Sequence, residues 1–346
     1  MSKVLKFVFL SLLCLLCSCV RRPLVEGQGQ VKVRVVLNTD SIHNITSSIY
    51  NDKVTPSLGT PAIFRVIFYE RNTNEALSQA FITKGGIEDG GKVYYEGKVF
   101  VPPGSYDMVC YNFDTPSTLV RGEDYKSTLE AFTSEIADNI YTRFKSRADA
   151  PDPSLYYEPD HLFVAREEGV DIPAVYDEYL ITTEARTIID TYYVQLRLVN
   201  GQYASNAVAM ITDFVPSNRF GMDEPEFGCY AGTYFEMYRS VDLRMRAREN
   251  DILCAVFNTF GKRPDHIAPS VESQLYISFN VLTRDGQSVE MTLDMDSIFM
   301  TPQARENHWL LIDKELVLPV PQPGGGGFKP GVEGWDEEIG EIEFGK

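Results

Sequence analysis

Histidine and tryptophan are scarce here, with four His and two Trp in 346 residues. His43, His161, His266 and His308 lie far apart, and none sits at a metal-ligand spacing from another. The chain has no Gly-x-Ser-x-Gly elbow and no Cys-His signature. Gly27-Gln28-Gly29 precedes the first apolar run instead of following one, and Gly324-Gly325-Gly326-Gly327 lacks a following Lys-Ser/Thr, so neither reads as a phosphate cradle. Asp294-Met295-Asp296 lacks the glycine and closing glutamate of a calcium loop. Together these absences predict a non-catalytic protein with no cofactor and no metal.

Basic residues are also in deficit, at 32 Lys and Arg against 49 Asp and Glu, a formal charge of −17. Such a surface repels phosphate, which excludes nucleic acid as a partner. It also gives no attraction to anionic lipid head groups. No apolar run is long enough to span a bilayer. The apolar run Phe7–Leu16 follows Lys3 and Lys6 and has the length of a secretory signal. It ends Leu16-Cys17-Ser18-Cys19, with a small residue just before Cys19 and a leucine three positions before it. This is the pattern of a bacterial lipoprotein signal, and it predicts lipidation of Cys19. Residues 1–18 are then a leader, and losing Lys3 and Lys6 takes the charge from −17 to −19. Two or three acyl chains on one cysteine make a stable anchor where one chain would not.

With Cys19 acylated, Cys110, Cys229 and Cys254 remain, an odd number. Cys110 and Cys254 stand inside apolar runs and read as small buried hydrophobes. A disulfide involving Cys229 stays open.

The mature chain is rich in Tyr and Phe (19 and 20), which favour half-buried pleated surfaces. Residues 19–30 read as a lipidated tether. From Val31 the chain alternates: Val31, Val33 and Val35 on one face, Lys32 and Arg34 on the other. Short strand-like runs recur to the end, broken by Asn72-Thr73-Asn74, Pro102-Pro103-Gly104 and Asp285-Gly286. Gly85-Gly86 reads as the start of a loop. These signals predict an all-β fold, with an N-terminal β-sandwich over 31–180 and a C-terminal one over 181–346. One segment dissents: Leu129, Phe132, Ile136, Ile140 and Phe144 recur at helical spacing, predicting one amphipathic helix over Ser127–Phe144. After the four-glycine link, acidic and apolar residues interleave to Phe344, which predicts a terminal edge strand.

Several stretches resemble the Bacteroidales fimbrillin-like lipoproteins. They are Cys19-Val20-Arg21-Arg22-Pro23-Leu24, residues 103–115, Asp160-His161-Leu162-Phe163-Val164-Ala165, Asn258-Thr259-Phe260-Gly261, and the closing run from Gly325 to Trp335. The resemblance implies two tandem transthyretin-like β-sandwich domains on a lipid anchor at the outer membrane. It further implies a stalk, tip or anchor subunit of a fimbrium, joined to other fimbrial subunits by β-strand addition. Trp335, Ile339, Ile342 and Phe344 would then contact the partner. Stalk subunits of this kind lose a strand to an arginine-specific protease. Here Arg22 offers a cut before the first strand, and residues 38–61 hold no arginine, which favours an uncleaved anchor or accessory subunit. The alternative is a surface glycan-binding lipoprotein that stacks sugars on Trp309 or Trp335.

Overall fold

The computed structural model describes residues 30–39, 59–88, 90–136, 154–174, 179–222, 224–225, 231–241, 251–262 and 275–321. In chain order the strands are β1 (Gln30–Asn38), β2 (Ile63–Glu70), β3 (Ala76–Ile87), β4 (Val93–Phe100), β5 (Gly104–Asn112), β6 (Leu119–Arg121), β7 (Glu130–Phe132), β8 (Ser154–Tyr157), β9 (Phe163–Ile172) and β10 (Tyr179–Thr187). Then follow β11 (Asp190–Val199), β12 (Ala204–Thr212), β13 (Ser217–Arg219), β14 (Glu224–Pro225), β15 (Ala231–Val241), β16 (Asp251–Thr259), β17 (Tyr276–Thr283) and β18 (Ser288–Asp294). Two short helices, α1 (Asp296–Phe299) and α2 (Pro302–Asn307), precede β19 (Trp309–Val317). The fold is all-β, as the punctuation of the sequence predicts.

The first sheet closes on itself in the order β1-β10-β9-β5-β2-β3-β4, with β4 returning antiparallel to β1. The alternation of β1 decides its two faces. Val31, Val33, Val35 and Leu37 fill the interior with Phe64, Val66, Phe68, Met108 and Cys110. Outside, Lys32 and Arg34 each reach Glu96 at 2.8 Å. β10 spans residue 180, the expected division of the chain, and pairs in parallel with the whole of β1 after Gln30.

The second sheet runs β18-β17-β12-β15-β16-β11-β19. It folds over at β15, which pairs with β12 through Gly232–Met237 and with β16 through Tyr238–Val241. Alternate residues of the two layers then share one core, in which Phe235 stacks on Phe257 at 4.3 Å. β8, early in the chain, joins this sheet beside Ala231–Tyr234.

A small sheet, β14-β13-β7-β6, joins the two halves. Its Ala131, with Leu129, Val215, Phe220 and Phe260, covers Ile67, Tyr69, Val109 and Tyr111 on the outer faces of β2 and β5. Both faces of those strands are therefore apolar, which is why residues 66–69 read as an unbroken apolar run.

The expected helix over Ser127–Phe144 is corrected by this sheet. Lys126–Thr128 forms a single 3-10 turn, Glu130–Phe132 is β7, and the Ile136 N–H bonds to the Leu155 carbonyl. Residues 137–144 lie outside the described residues. Leu129 and Ala131 both join the apolar cluster under this sheet, and Glu130 between them is buried as well. Pairing of β7 with β6 and β13 overrides the helical spacing. Gly85-Gly86 likewise continues β3 instead of ending it. The Tyr94 ring lies across the two glycines, where a Cβ on Gly85 would come within 2.4 Å of it.

Candidate partner-binding surfaces

Cys19, Arg22, Trp335, Ile339, Ile342 and Phe344 lie outside the described residues, as does Cys229. What the structure describes is the body that these segments flank. Cys110 lies inside the first core and Cys254 in a separate cluster, both as buried free thiols. Burial pushes the Cys254 thiol up to about 11, away from thiolate chemistry. Among the described residues no group of three or more His, Cys, Asp or Glu could hold a metal.

Trp309 opens β19 and is half-buried in a cluster with Tyr193, Tyr238, Ile252, Cys254 and Val256. Its indole Nε1–H is buried without an acceptor. A ring held in this way is a packing residue, not the open platform that sugar stacking requires.

A more exposed aromatic pair lies on the first sheet. The Arg65 guanidinium sits 5.4 Å from both the Phe81 and Phe113 rings, which are 5.5 Å apart. Both rings are about half exposed, at 53% and 49%. Gln79 and Glu123 hold the guanidinium at 2.6 and 3.0 Å. Register explains the grouping: Arg65 and Phe81 are cross-strand partners on the outer face, and Phe113 extends the same face of β5.

Beneath the small sheet, Lys126 is buried with Asp107 at 2.7 Å and reaches the exposed Glu168 at 3.1 Å. The Gly169 N–H donates to the other Asp107 oxygen at 3.0 Å. Burial would raise the Asp107 carboxyl, but Lys126 and the Gly169 N–H outweigh it and hold the group below its ordinary value. Burial likewise opposes the charge on Lys126, and the two carboxylates overcome it.

The crossover from the first sheet to the second is tied by polar bonds. Asn258 donates from its side chain to the Pro159 carbonyl at 3.1 Å and from its backbone to Glu158 at 2.8 Å. His161 lies between Thr187 and Thr191 at 3.1 and 3.3 Å, and Asn112 donates to its carbonyl. Asn112, Asp114, Asp160, His161 and Asn258 line a cleft of about 210 Å³. Burial lowers the His161 pKa and keeps the ring neutral.

Burial pushes the Glu158 carboxyl up from 4.5 to about 8, against the Asn258 N–H and with help from Glu236 and Asp160. Between those two values the folded chain keeps a proton that the unfolded chain has lost, so stability falls as pH rises through the window. Glu158→Gln keeps an acceptor for Asn258 and removes the titration. Thermal melts should match the parent at pH 4 and exceed it by a few degrees at pH 8.5. Parallel curves across that range would show that Glu158 ionises freely.

The long open edges among the described residues are β18 and β19. β11 pairs in parallel with β19, and the register skips Asp313 and Lys314.

A family model for a domain of unknown function, DUF5119, matches residues 18–235. The chain belongs to this family. The DUF5119 match covers the whole first sheet and the second as far as the middle of β15. The chain is also 22% identical, over 96% of its length and 95% of the relative's, to the "Putative fimbrium anchoring subunit Fim4B" of Bacteroides ovatus. That end-to-end likeness bears out the resemblance to Bacteroidales fimbrial proteins. Among solved structures, a "putative adhesin" from Bacteroides ovatus matches 88% of this DUF5119 chain and 98% of its own, with a TM-score of 0.54 and 18% identity. It shows that the fold is shared. The fimbrial anchor protein Mfa2 from Porphyromonas gingivalis is more distant, at a TM-score of 0.45 and 12% identity over 84% of this chain and 90% of its own.

Proposed function

We propose that this chain is a non-catalytic accessory or anchoring subunit of a bacterial surface fimbrium. It is held at the outer membrane by lipid on Cys19 and joins other fimbrial subunits by β-strand addition. The observation that carries this reading is the alignment with a fimbrium anchoring relative over nearly the full length of both chains. A match confined to one sheet would support only a common fold. The all-β body agrees with strand addition, because an open sheet edge offers backbone donors and acceptors to an incoming strand. The C-terminal segment supplies the strand that is given away, with Trp335, Ile339, Ile342 and Phe344 meeting the partner. An N-terminal lipid and a C-terminal donor place membrane and partner at opposite ends of the chain. Arg22 precedes β1, so a cut there frees the body from its lipid with every described strand intact.

Deletion of residues 324–346 tests the strand-addition part. The truncated protein should still fractionate with membranes but lose co-purification of its fimbrial partner by at least tenfold. Undiminished co-purification and normal fimbriae would remove the tail from the mechanism. Glycan binding through Trp309 has no comparable support, since that side chain packs into the sheet.

A further inference from the structure

We infer that the outer face of the first sheet, at the end where β1 begins, rests on the lipid surface of the membrane. The inference deepens the reading above and rests on its anchor: lipid on Cys19 brings the chain to the bilayer, and this face then meets it.

The face surrounds the point where the tether enters. Gln30 opens β1, with Phe100 directly opposite it on β4. Val99 and Val101 fill the interior, so Phe100 points outward. At 65% it is the most exposed large apolar side chain among the described residues. On the other side of β1, Leu180 of β10 stands opposite Lys32 and is exposed as well. The first residues of β1 therefore run between two apolar side chains that meet solvent. From Phe100 the patch continues along β3. The Ser78 hydroxyl donates to the Phe100 carbonyl, and Leu77 before it is exposed. Gln79 after it bonds to Arg65, beside the half-exposed Phe81 and Phe113 rings. Large apolar groups gathered in this way mark a contact surface.

The charges on this face are answered within it. Glu123 holds Arg65 at 3.0 Å, and Glu96 holds both Lys32 and Arg34 at 2.8 Å. Lys98 reaches Gln30 at 3.4 Å. Apolar contact, not charge, therefore decides the occupant. Exposed aromatic and aliphatic groups beside neutralised polar ones suit the boundary between head groups and acyl chains.

The tether supplies what so small a face lacks. Cys19 and Gln30 are eleven residues apart, which limits the reach to roughly 40 Å. A few apolar side chains hold lipid only weakly by themselves. On a tether of this length they meet it at an effective concentration on the order of millimolar, and a weak contact closes. Without the tether the face cannot retain the protein, so release by loss of the lipid is consistent with it. The fimbrial partner, which meets the C-terminal tail in the reading above, does not compete for this end.

The test holds the full mature chain on phosphatidylcholine vesicles through an N-terminal histidine tag and a nickel-chelating lipid, so it does not depend on the native acyl group. One tryptophan at a time is added, as Phe100→Trp, Leu180→Trp or Ile87→Trp. Ile87 is 64% exposed but pairs with Val93, at the far end of β3 and β4. When the acyl chains carry bromine, Phe100→Trp and Leu180→Trp should each lose at least half of the added emission. Ile87→Trp and the parent, with Trp309 and Trp335, should keep theirs. Adding Phe100→Ser to Leu180→Trp should restore at least half of the lost signal with an unchanged thermal melt. Equal quenching at Ile87, no quenching at Phe100, or quenching at Leu180 that survives Phe100→Ser would each overturn the inference. Loss of fimbriae in Phe100→Ser, with Phe100→Trp unquenched, would give the face to a protein partner instead. Quenching on these vesicles by a chain whose Cys19 carries no lipid in the cell keeps the lipid-facing surface and loses the anchor reading. A lipidated Cys19 without quenching keeps the anchor and loses this inference.

Discussion

Cys19→Ala is expected to move the protein from the membrane pellet to the soluble fraction almost completely. Each buried methylene of an acyl chain contributes about 0.8 kcal/mol, so a di- or triacylated cysteine holds a protein far more firmly than a single chain does. Among the described residues no helix is long and apolar enough to cross a membrane. The formal charge of −17 repels anionic lipid. Fractionation followed by immunoblotting should show a shift of at least tenfold, with metabolic labelling by a fatty acid lost in parallel. Continued sedimentation of the variant with membranes would place the attachment elsewhere and remove the lipid from the proposed function.

The largest expected effect on stability comes from Lys126. Its ammonium and the Asp107 carboxylate are both buried, with side chains 8% and 10% exposed. Lys126→Met leaves Asp107 charged, buried and short of its main partner, a loss of about 3–5 kcal/mol. For a domain of this size that corresponds to a drop in Tm of roughly 10 °C. The double substitution Lys126→Met with Asp107→Leu removes both charges and should recover most of the loss, because the pair itself adds little net stability over apolar packing. Calorimetric melts of the parent, the single variant and the double variant check this. A double variant as unstable as the single would mean that the Gly169 N–H, left without its acceptor, carries the cost instead.

Strand periodicity was legible wherever one face meets solvent. Val31-Lys32-Val33-Arg34-Val35 announces both the interior of the closed sheet and its outer ion pairs with Glu96. It was harder to read where tertiary pairing decides the outcome. The spacing of Leu129, Phe132 and Ile136 fits a helix, but residues 130–132 pair with β6 and β13, and Leu129 and Ala131 both join the apolar cluster beneath. The true helices carry a local signal that apolar spacing does not show. Thr301 caps α2 by accepting the Ala304 N–H at 3.3 Å, and Pro302 sits in its first turn. Both helices are too short to develop an amphipathic stripe. The buried Lys126–Asp107 pair had no sequence signal at all, because nineteen positions separate two residues that only the fold brings together. The place of β18 was half legible: its alternation marked a strand, but only sheet order shows that it is the outermost one among the described residues.

β1 sits between β10 and β4, paired along nearly its whole length on both sides. The tether to the proposed lipid enters at its first residue. A pull directed along β1 would load both of its ladders in shear. Both ladders must slide at once, with every backbone bond sharing the strain, whereas a strand peeled from an edge loses its bonds one by one. With the proposed lipid on Cys19 and the proposed fimbrial partner in place, such a pull would load the body in shear. Resistance to force then resides in the rate at which β1 can slip between its neighbours, not in the equilibrium stability of the fold.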